Sequence, residues 1–146
     1  MVESQIKFSD LVRVFVYGTL KPGEVNYKRF CADKVVDVKR AFVQGKLFAL
    51  PMGNPAMTLG YTQVHGYLLS FPNPTILNHL DALEDYQPAR PMSENLYNRK
   101  TIEVYEGQSL SLGWAWVYLM SLERVEELGG FLQPDGCWSG SGLTPN

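Results

Sequence analysis

The first strong pattern along the chain is the segment Val12 to Tyr17, which is apolar almost throughout. Such a run is typical of a strand that is buried on both faces. The residues that follow, Gly18 to Gly23, carry two turn signals, and a short helical turn with Asn26 as its cap is predicted from about Asn26 to Phe30. The pattern therefore predicts a buried strand that ends in a glycine-containing loop.

Further strand patterns follow this loop. Two separate strands are predicted at Val35 to Arg40 and Phe42 to Leu50, and another at Tyr61 to Phe71, where apolar and polar positions alternate. The segment PMGNPAMTLG, residues 51–60, is rich in Pro and Gly and is predicted to be an irregular loop. Nearer the C-terminus, the segments YNRKTIEVY and GWAWVYLM predict a β-hairpin.

Helical patterns occur in two places. With Asn73 as a cap and Pro74 in the first turn, the segment TILNHLDALEDY predicts a helix of about three turns. The segment LERVEELGG predicts a second, shorter helix. The tail beyond it, from about 130 to 146, is rich in Gly, Ser and Pro and is predicted to be mobile or to lie over the surface.

Strands interrupted by one strong helix do not give the regular alternation of a doubly wound sheet. We therefore predict a mixed α/β (α+β) fold, with a curled mixed sheet or a small distorted β-barrel and helices packed on it. A chain of 146 residues fits a single domain, residues 1–146, with its core at about 12–120.

One glutamate lies within the apolar stripe of the predicted helix. At about 100° per residue, Ile76, Leu77, Leu80 and Leu83 form one apolar face, and Glu84 falls inside it. Burial and the negative end of the helix dipole both disfavour a charged carboxylate, so the pKa of Glu84 is expected to be raised. A carboxyl group with a pKa near 6 or 7 would accept and donate protons at neutral pH.

The same position has a simpler interpretation. Glutamates in the last turn of a helix often turn into solvent or pair with a nearby arginine, here Arg90 or Arg99. Periodicity predicts which face a residue occupies, but it does not show how deeply the side chain is buried. Both interpretations of Glu84 stay open at this point.

Composition excludes several classes of partner. The formal net charge is -2, so the chain carries no general attraction for nucleic acid or for an anionic membrane surface. No segment approaches the ~20 apolar residues of a membrane helix, and the N-terminus shows no uninterrupted apolar signal region. We expect a cytoplasmic protein without a membrane or nucleic-acid partner.

The cysteines, the histidines and the aromatic stripe are interpreted as mainly structural. Cys31 and Cys137 lack metal-site spacing and are expected to be free thiols, and two histidines do not suggest a zinc site. His65 lies in a strand pattern and is interpreted as a structural histidine. The stripe Trp114, Trp116 and Tyr118 is interpreted as core packing, although Tyr118 would also suit the rim of a pocket.

The loop after the first strand is a candidate ligand site. Gly18 can take positive φ and lets another group approach the backbone closely. Consecutive amides in such a loop form a concave donor site for a carboxylate or carbonyl oxygen, although many ordinary turns share the same pattern. The sequence contains no Gly-x-Ser-x-Gly elbow, Walker loop or Gly-x-Gly-x-x-Gly fingerprint.

Taken together, these motifs resemble the γ-glutamylcyclotransferase-like superfamily, which includes γ-glutamylamine cyclotransferases and AIG2-like proteins. The segment FVYGTLKPG resembles its strand and loop signature, LDALEDY resembles its helix end, and YNRKTIEV and WAWVYL are similar to the two strands that follow. The likeness covers most of the chain, from Val14 to about Met120, in the order of the family. It implies the mixed α/β fold with a small distorted barrel.

The resemblance also implies an activity and a set of residues. Members release 5-oxoproline from γ-glutamyl compounds in an acyltransferase-type or lyase-type cyclotransferase reaction, without a cofactor or metal. Glu84 matches the catalytic acid/base glutamate of the family. The substrate-binding positions that match are Tyr17, Gly18, Thr19, Leu20, Tyr118 and, with a less defined role, Tyr97.

One position departs from the family pattern. Many members carry Gly directly after the glutamate, and this chain has Asp85 there. If Asp85 faces solvent, it raises the pKa of Glu84 slightly; if it faces inward, it changes which amines fit.

Two further hypotheses keep the same cavity. The protein is a non-catalytic module that binds a small metabolite, or the cavity supports hydrolysis or another acyl transfer. The identity of the leaving amine and the oligomeric state are not predicted.

Overall fold

The computed structural model describes residues 11–140. The strands and helices, in chain order, are β1 (Val12–Val16), α1 (Tyr27–Phe30), β2 (Asp37–Ala49), β3 (Pro55–Phe71), α2 (Ile76–Leu83), a 3-10 turn (Met92–Glu94), β4 (Asn98–Glu106), β5 (Leu110–Leu119), α3 (Leu122–Glu127) and β6 (Phe131–Leu132).

The six strands form one curled sheet in the order β3-β1-β5-β4-β2-β6, and β2 also pairs with β3. The additional pairing closes five strands into a distorted barrel, with β6 attached to the edge of β2. Two seams are narrow: β1 meets β5 in parallel at Val14 and Trp116, and β2 meets β4 at Phe42 and Tyr105. The predicted mixed α/β class with a curled sheet is confirmed.

Both faces of the central strands are buried, as the run of apolar residues in β1 predicted. Val14 and Val16 belong to a core that also contains Ile76 and Leu80 of α2, so this core lies between the sheet and the helices. Phe15 belongs to a second core built almost entirely from strand residues. Side chains alternate between the faces of a strand, so the second core fills the inside of the barrel.

Two predictions about the long hairpin are wrong. The segments Val35 to Arg40 and Phe42 to Leu50 are not separate strands, because one strand, β2, pairs with β3 along its whole length from Asp37 to Ala49. The predicted irregular loop at 51–60 is also too long, because β3 begins at Pro55. Its irregular part is a bulge: Gly45 pairs with Thr62 and Lys46 with Thr58, so residues 59–61 have no partner on β2.

Within the described residues, the tail lies over the surface, which is one of the two predicted alternatives, and it makes specific contacts with the barrel. Phe131 and Leu132 form a strand on β2, and Trp138 is buried against the barrel core. The amide of His65 donates to the Gly136 carbonyl at 2.8 Å, and the Lys21 ammonium donates to the Trp138 carbonyl. The tail through 140 therefore ties β3 to the loop after β1; the predictions for 141–146 lie outside the described residues.

The aromatic stripe on β5 is divided between core and surface. Tyr118 is buried and Trp116 is partly buried, but 61% of Trp114 is exposed, so its prediction as core packing is wrong. Helix α2 packs against the C-terminal half of β5, and Trp114 lies nearer the hairpin turn.

Within residues 11–140, no helix has both the length and the apolar character that crossing a membrane requires.

Candidate active site

A pocket lies where β1 ends and α2 approaches the sheet. It encloses about 370 Å³ of space, part of it open to solvent. All seven residues predicted for the site line this pocket, which brings together positions from four separate parts of the chain. The lining residues are Phe15, Val16, Tyr17, Gly18, Thr19, Leu20, Asn54, Pro55, Glu84, Tyr97 and Tyr118.

Helix α2 delivers Glu84 to this pocket. Ile76 and Leu80 are buried in the core and fix the face that the helix turns inward, as the apolar stripe predicted. Glu84 is the C-terminal cap of the helix, and its amide donates to the Leu80 carbonyl at 2.9 Å. Its side chain is partly exposed, yet the surrounding protein removes enough water to raise the pKa of Glu84 to about 7.

The two arginines near Glu84 bind other carboxylates. Arg90 contacts the Asp85 carboxylate at 3.1 Å, and Arg99 contacts the Asp81 carboxylate at 3.0 Å. Within the part of the chain that the structure describes, no ion pair or side-chain hydrogen bond engages the Glu84 carboxylate. The geometry thus favours the interpretation of Glu84 as an inward-facing carboxyl group over the interpretation as a surface ion pair.

Asp85 faces solvent and occupies the position where a helix often ends in glycine. Its φ is 55°, in the left-handed region that Asp tolerates better than most residues. Arg90 Nη2 donates to the Asp85 carbonyl at 2.7 Å as well as to its carboxylate. Asp85 therefore adopts a backbone conformation that glycine commonly takes at a helix end, and its carboxylate does not line the pocket.

The loop after β1 is shaped by contacts on both sides. The amide of Lys21 donates to the Gly18 carbonyl at 3.0 Å, and Asn26 binds the Thr19 carbonyl and hydroxyl at 2.9 and 3.0 Å. Asn26 occupies the predicted N-cap position of α1, but its side chain binds the loop and makes no capping hydrogen bond to the helix. Among the described residues, no backbone carbonyl accepts from the amides of Thr19 and Leu20, which leaves both as available donors.

Gly18 is needed for close packing. Its φ is outside the positive range, contrary to the predicted freedom, but a Cβ at this position would lie 2.4 Å from Cγ of Pro55. The start of β3 thus packs directly against the loop, where a side chain would separate the two walls of the pocket.

Three tyrosines form much of the remaining wall. The Tyr17 hydroxyl donates to the Tyr118 carbonyl at 2.5 Å, and the Tyr97 hydroxyl donates to the Pro55 carbonyl at 2.7 Å. Burial is the main cause that raises the pKa of all three phenols, and the nearby Glu84 charge adds to it. The phenols therefore stay neutral and act as hydrogen-bonding groups.

Sequence reasoning missed Asn54 and Pro55. The Asn54 amide donates to the Tyr97 hydroxyl at 2.8 Å, and the Pro55 carbonyl accepts from the same hydroxyl. Both residues lie in the segment predicted to be an irregular loop. Only the pairing of Pro55 with Ala49 on β2 places them against the site, and no periodicity reports such a long-range contact.

Other predicted candidates lie outside this pocket. Cys31 is buried in the core, where burial raises its pKa to about 11, and both Cys31 and Cys137 are free thiols as predicted. His65 lies in β3, as its strand pattern predicts, and is exposed beside the Phe42 ring. Among residues 11–140, no group of three or more potential ligand side chains is placed to hold a metal ion.

The sequence profile described as "Gamma-glutamyl cyclotransferase, AIG2-like" matches residues 14–140. This chain belongs to that family. The match covers both halves of the pocket, the loop after β1 and the end of α2, and it confirms the predicted resemblance.

Individual relatives agree with the family assignment. The γ-L-glutamyl-butirosin B γ-glutamyl cyclotransferase of Niallia circulans is 32% identical over 105 residues, which make up 72% of this chain and 65% of that protein. The matched region thus spans slightly less than two thirds of the relative.

Solved structures show the same fold at lower identity. The crystal structure of an AIG2-like protein from Mus musculus has a TM-score of 0.68 and 22% identity, and the match covers 90% of each chain. A solution structure from Arabidopsis thaliana has a TM-score of 0.63 and 20% identity, covering 86% of this chain and 78% of that one.

Proposed function

We propose that this member of the AIG2-like γ-glutamyl cyclotransferase family releases 5-oxoproline and a free amine from a γ-glutamyl amine or peptide, with Glu84 as general acid and base. The observation that carries the proposal is the position of Glu84. A carboxyl group with a pKa of about 7 faces the same pocket as a loop with available backbone amides. The name of the Niallia circulans relative, which specifies a γ-glutamyl substrate, supports the same reaction class.

The reaction needs no nucleophile from the protein, because the substrate supplies its own. It needs proton transfers and a substrate held in a bent conformation. The α-amine of the γ-glutamyl group attacks its own γ-carbonyl carbon and forms the C–N bond of the five-membered lactam. Glu84 accepts a proton from the α-ammonium so that the free amine can attack, and it returns that proton to the nitrogen of the departing amine as the original amide bond breaks. The lactam nitrogen loses a second proton, which the freed amine takes up to leave as an ammonium ion. Because its pKa lies near neutrality, one carboxyl group serves both steps.

The loop would hold the substrate while these protons move. The amides of Thr19 and Leu20 suit a carboxylate or a carbonyl oxygen on which negative charge develops. Tyr17, Gly18 and Tyr97 would complete the wall around the γ-glutamyl group. The reaction as written requires no cofactor, and a cytoplasmic location stays a prediction.

The test is a product assay against a panel of γ-glutamyl amines, γ-glutamyl dipeptides and glutathione. We expect 5-oxoproline and free amine in equal amounts. We expect Glu84→Gln to keep the fold and to lose about 10³-fold or more in kcat, because the amide neither accepts nor returns the proton. Glu126→Gln, which changes an exposed glutamate of α3, is the matched control.

The same assay separates the alternatives. Release of glutamate in place of 5-oxoproline would indicate hydrolysis. Thermal stabilisation by γ-glutamyl compounds without any product would indicate a binding module. Wild-type rates of 5-oxoproline release from Glu84→Gln would refute the role assigned to Glu84.

A further inference from the structure

The three tyrosine hydroxyls of the pocket differ in what they can offer to a ligand. The Tyr17 and Tyr97 hydroxyls donate to backbone carbonyls, and Tyr97 also accepts from Asn54. These bonds attach both rings to the main chain, so both hydroxyl protons are already engaged in holding the structure together. Among residues 11–140, no backbone carbonyl accepts from the Tyr118 hydroxyl.

The Tyr118 hydroxyl donates to Oδ1 of Asp81 at 2.7 Å. An ionised carboxylate accepts hydrogen bonds and donates none, so the hydroxyl proton must point toward Asp81. The lone pairs of the phenol oxygen are then left over as acceptors. Because Tyr118 lines the pocket, a ligand there would have to donate hydrogen bonds in order to use these acceptors.

Arg99 holds Asp81 in this arrangement. Its Nε lies 3.0 Å from the same oxygen, Asp81 Oδ1, and the side chains of Arg99 and Asp81 are only 15% and 14% exposed. The guanidinium also lies 5.4 Å from the ring centre of Tyr86 and 4.5 Å from that of Trp116. The two rings position the guanidinium, and the Nε contact, which lacks hydrogen-bond geometry, keeps the positive charge beside the carboxylate that accepts from Tyr118.

We propose that Asp81 and Arg99 are positioning residues that turn the Tyr118 hydroxyl into a hydrogen-bond acceptor for the α-ammonium of a γ-glutamyl substrate. This inference rests on the proposed function and adds to it the group that aims the attacking nitrogen. An ammonium carries three N–H donors, so it binds Tyr118 and Glu84 at the same time. The nitrogen keeps its orientation when Glu84 removes one proton.

The proximity of these groups supports the arrangement. Glu84 and Tyr118 line the same pocket, and the Glu84 charge adds a small contribution to the raised pKa of Tyr118. Asp81 and Glu84 are one helical turn apart on α2, so one helix supplies both the proton acceptor and the residue that orients its neighbour.

The test is a double-mutant cycle on Tyr118→Phe and Asp81→Asn, with 5-oxoproline release as the assay. We expect Tyr118→Phe alone to raise KM about 10- to 100-fold, the loss of one hydrogen bond to a charged group. Asp81→Asn alone should raise KM about 10-fold, since an amide can donate to the phenol and reverse its orientation. In the Tyr118→Phe background, Asp81→Asn should change KM less than about twofold.

A substrate analogue gives a readout that a purely structural role would not affect. A glutaryl amide lacks the α-amino group, so its inhibition constant should be the same for wild type and Tyr118→Phe. The inhibition constant of a γ-glutamyl amide that is cleaved slowly should rise with KM. Circular dichroism and the thermal midpoint identify variants that fail to fold. The variant Arg99→Lys tests whether a retained positive charge preserves the orientation of Asp81.

The outcomes separate this inference from the proposed function. If wild type releases no 5-oxoproline from any γ-glutamyl compound, the proposed function fails. If wild type is active but the effects of the two substitutions on KM are independent, Asp81 does not act through Tyr118 and the inference is overturned. An equal loss of affinity for the glutaryl and the γ-glutamyl amide in Tyr118→Phe would also overturn it.

Discussion

At the scale of single residues, the raised pKa of Glu84 would set the pH dependence of the proposed reaction. The base must be ionised to accept a proton, and the pKa of Glu84 is about 7. We expect kcat/KM to rise about tenfold per pH unit below about pH 6 and to level off above pH 7 to 8. A rate profile from pH 4 to 9 on wild type and Glu126→Gln checks this; a rising limb near pH 4.5 would contradict it.

Replacing Glu84 by an uncharged residue should increase the stability of the fold while it removes the proposed activity. Between the ordinary pKa of 4.5 and about 7, the unfolded chain loses the Glu84 proton before the folded chain does, so stability falls as the pH rises. The full difference corresponds to about 3 kcal/mol, and partial exposure of the side chain reduces the expected effect to about 1 to 2 kcal/mol.

Glu84→Gln should therefore unfold at higher denaturant concentration than wild type at pH 8, and the difference should vanish near pH 4.5. Urea unfolding at both pH values measures it. A variant less stable than wild type at pH 8 would show that desolvation does not control this group.

At the scale of elements, the end of α2 explains how the chain tolerates an aspartate where a glycine is common. The φ of 55° at Asp85 strains any residue with a Cβ, and the exposed pair with Arg90 compensates weakly. We expect Asp85→Gly to change the free energy of unfolding by less than about 1 kcal/mol, and Asp85→Val to cost clearly more because a β-branched residue tolerates this region poorly. Equal costs for the two variants would contradict the conformational explanation.

Local patterns predicted the elements that depend on near neighbours. The apolar run in β1, the hairpin of β4 and β5, and the stripe that directs Glu84 inward are all periodic features of short segments. The continuity of β2, the early start of β3 and the exposure of Trp114 depend on which distant strand or helix lies alongside. Sequence reasoning missed Asn54 for the same reason: tertiary pairing sets its position beside the pocket, and the pattern of its own segment does not.

At the scale of the whole molecule, the tail segment around Trp138 closes one side of the barrel. Gly136 has a φ of 69°, and a Cβ there would lie 1.9 Å from the Gln63 carbonyl oxygen. We expect Gly136→Ala to destabilise the protein by more than about 2 kcal/mol, because backbone strain and a steric clash add.

Gly23→Ala is the matched control. Its φ is 90°, but its Cβ would meet nothing within 4 Å, so only the strain of about 1 kcal/mol should appear. Chemical unfolding of both variants measures the difference. Equal losses would show that the tail does not pack against β3 as described.

The narrow parallel seam between β1 and β5 has a consequence for synthesis on the ribosome. Tyr17 and Tyr118, joined through the hydroxyl and carbonyl that bridge this seam, are 101 positions apart. The loop that would grip the substrate thus emerges long before its neighbouring strand, and it must wait for nearly the whole described chain before the barrel closes. The proposed activity would therefore arise late in folding, and a nascent chain that has not yet exposed β5 would cleave nothing.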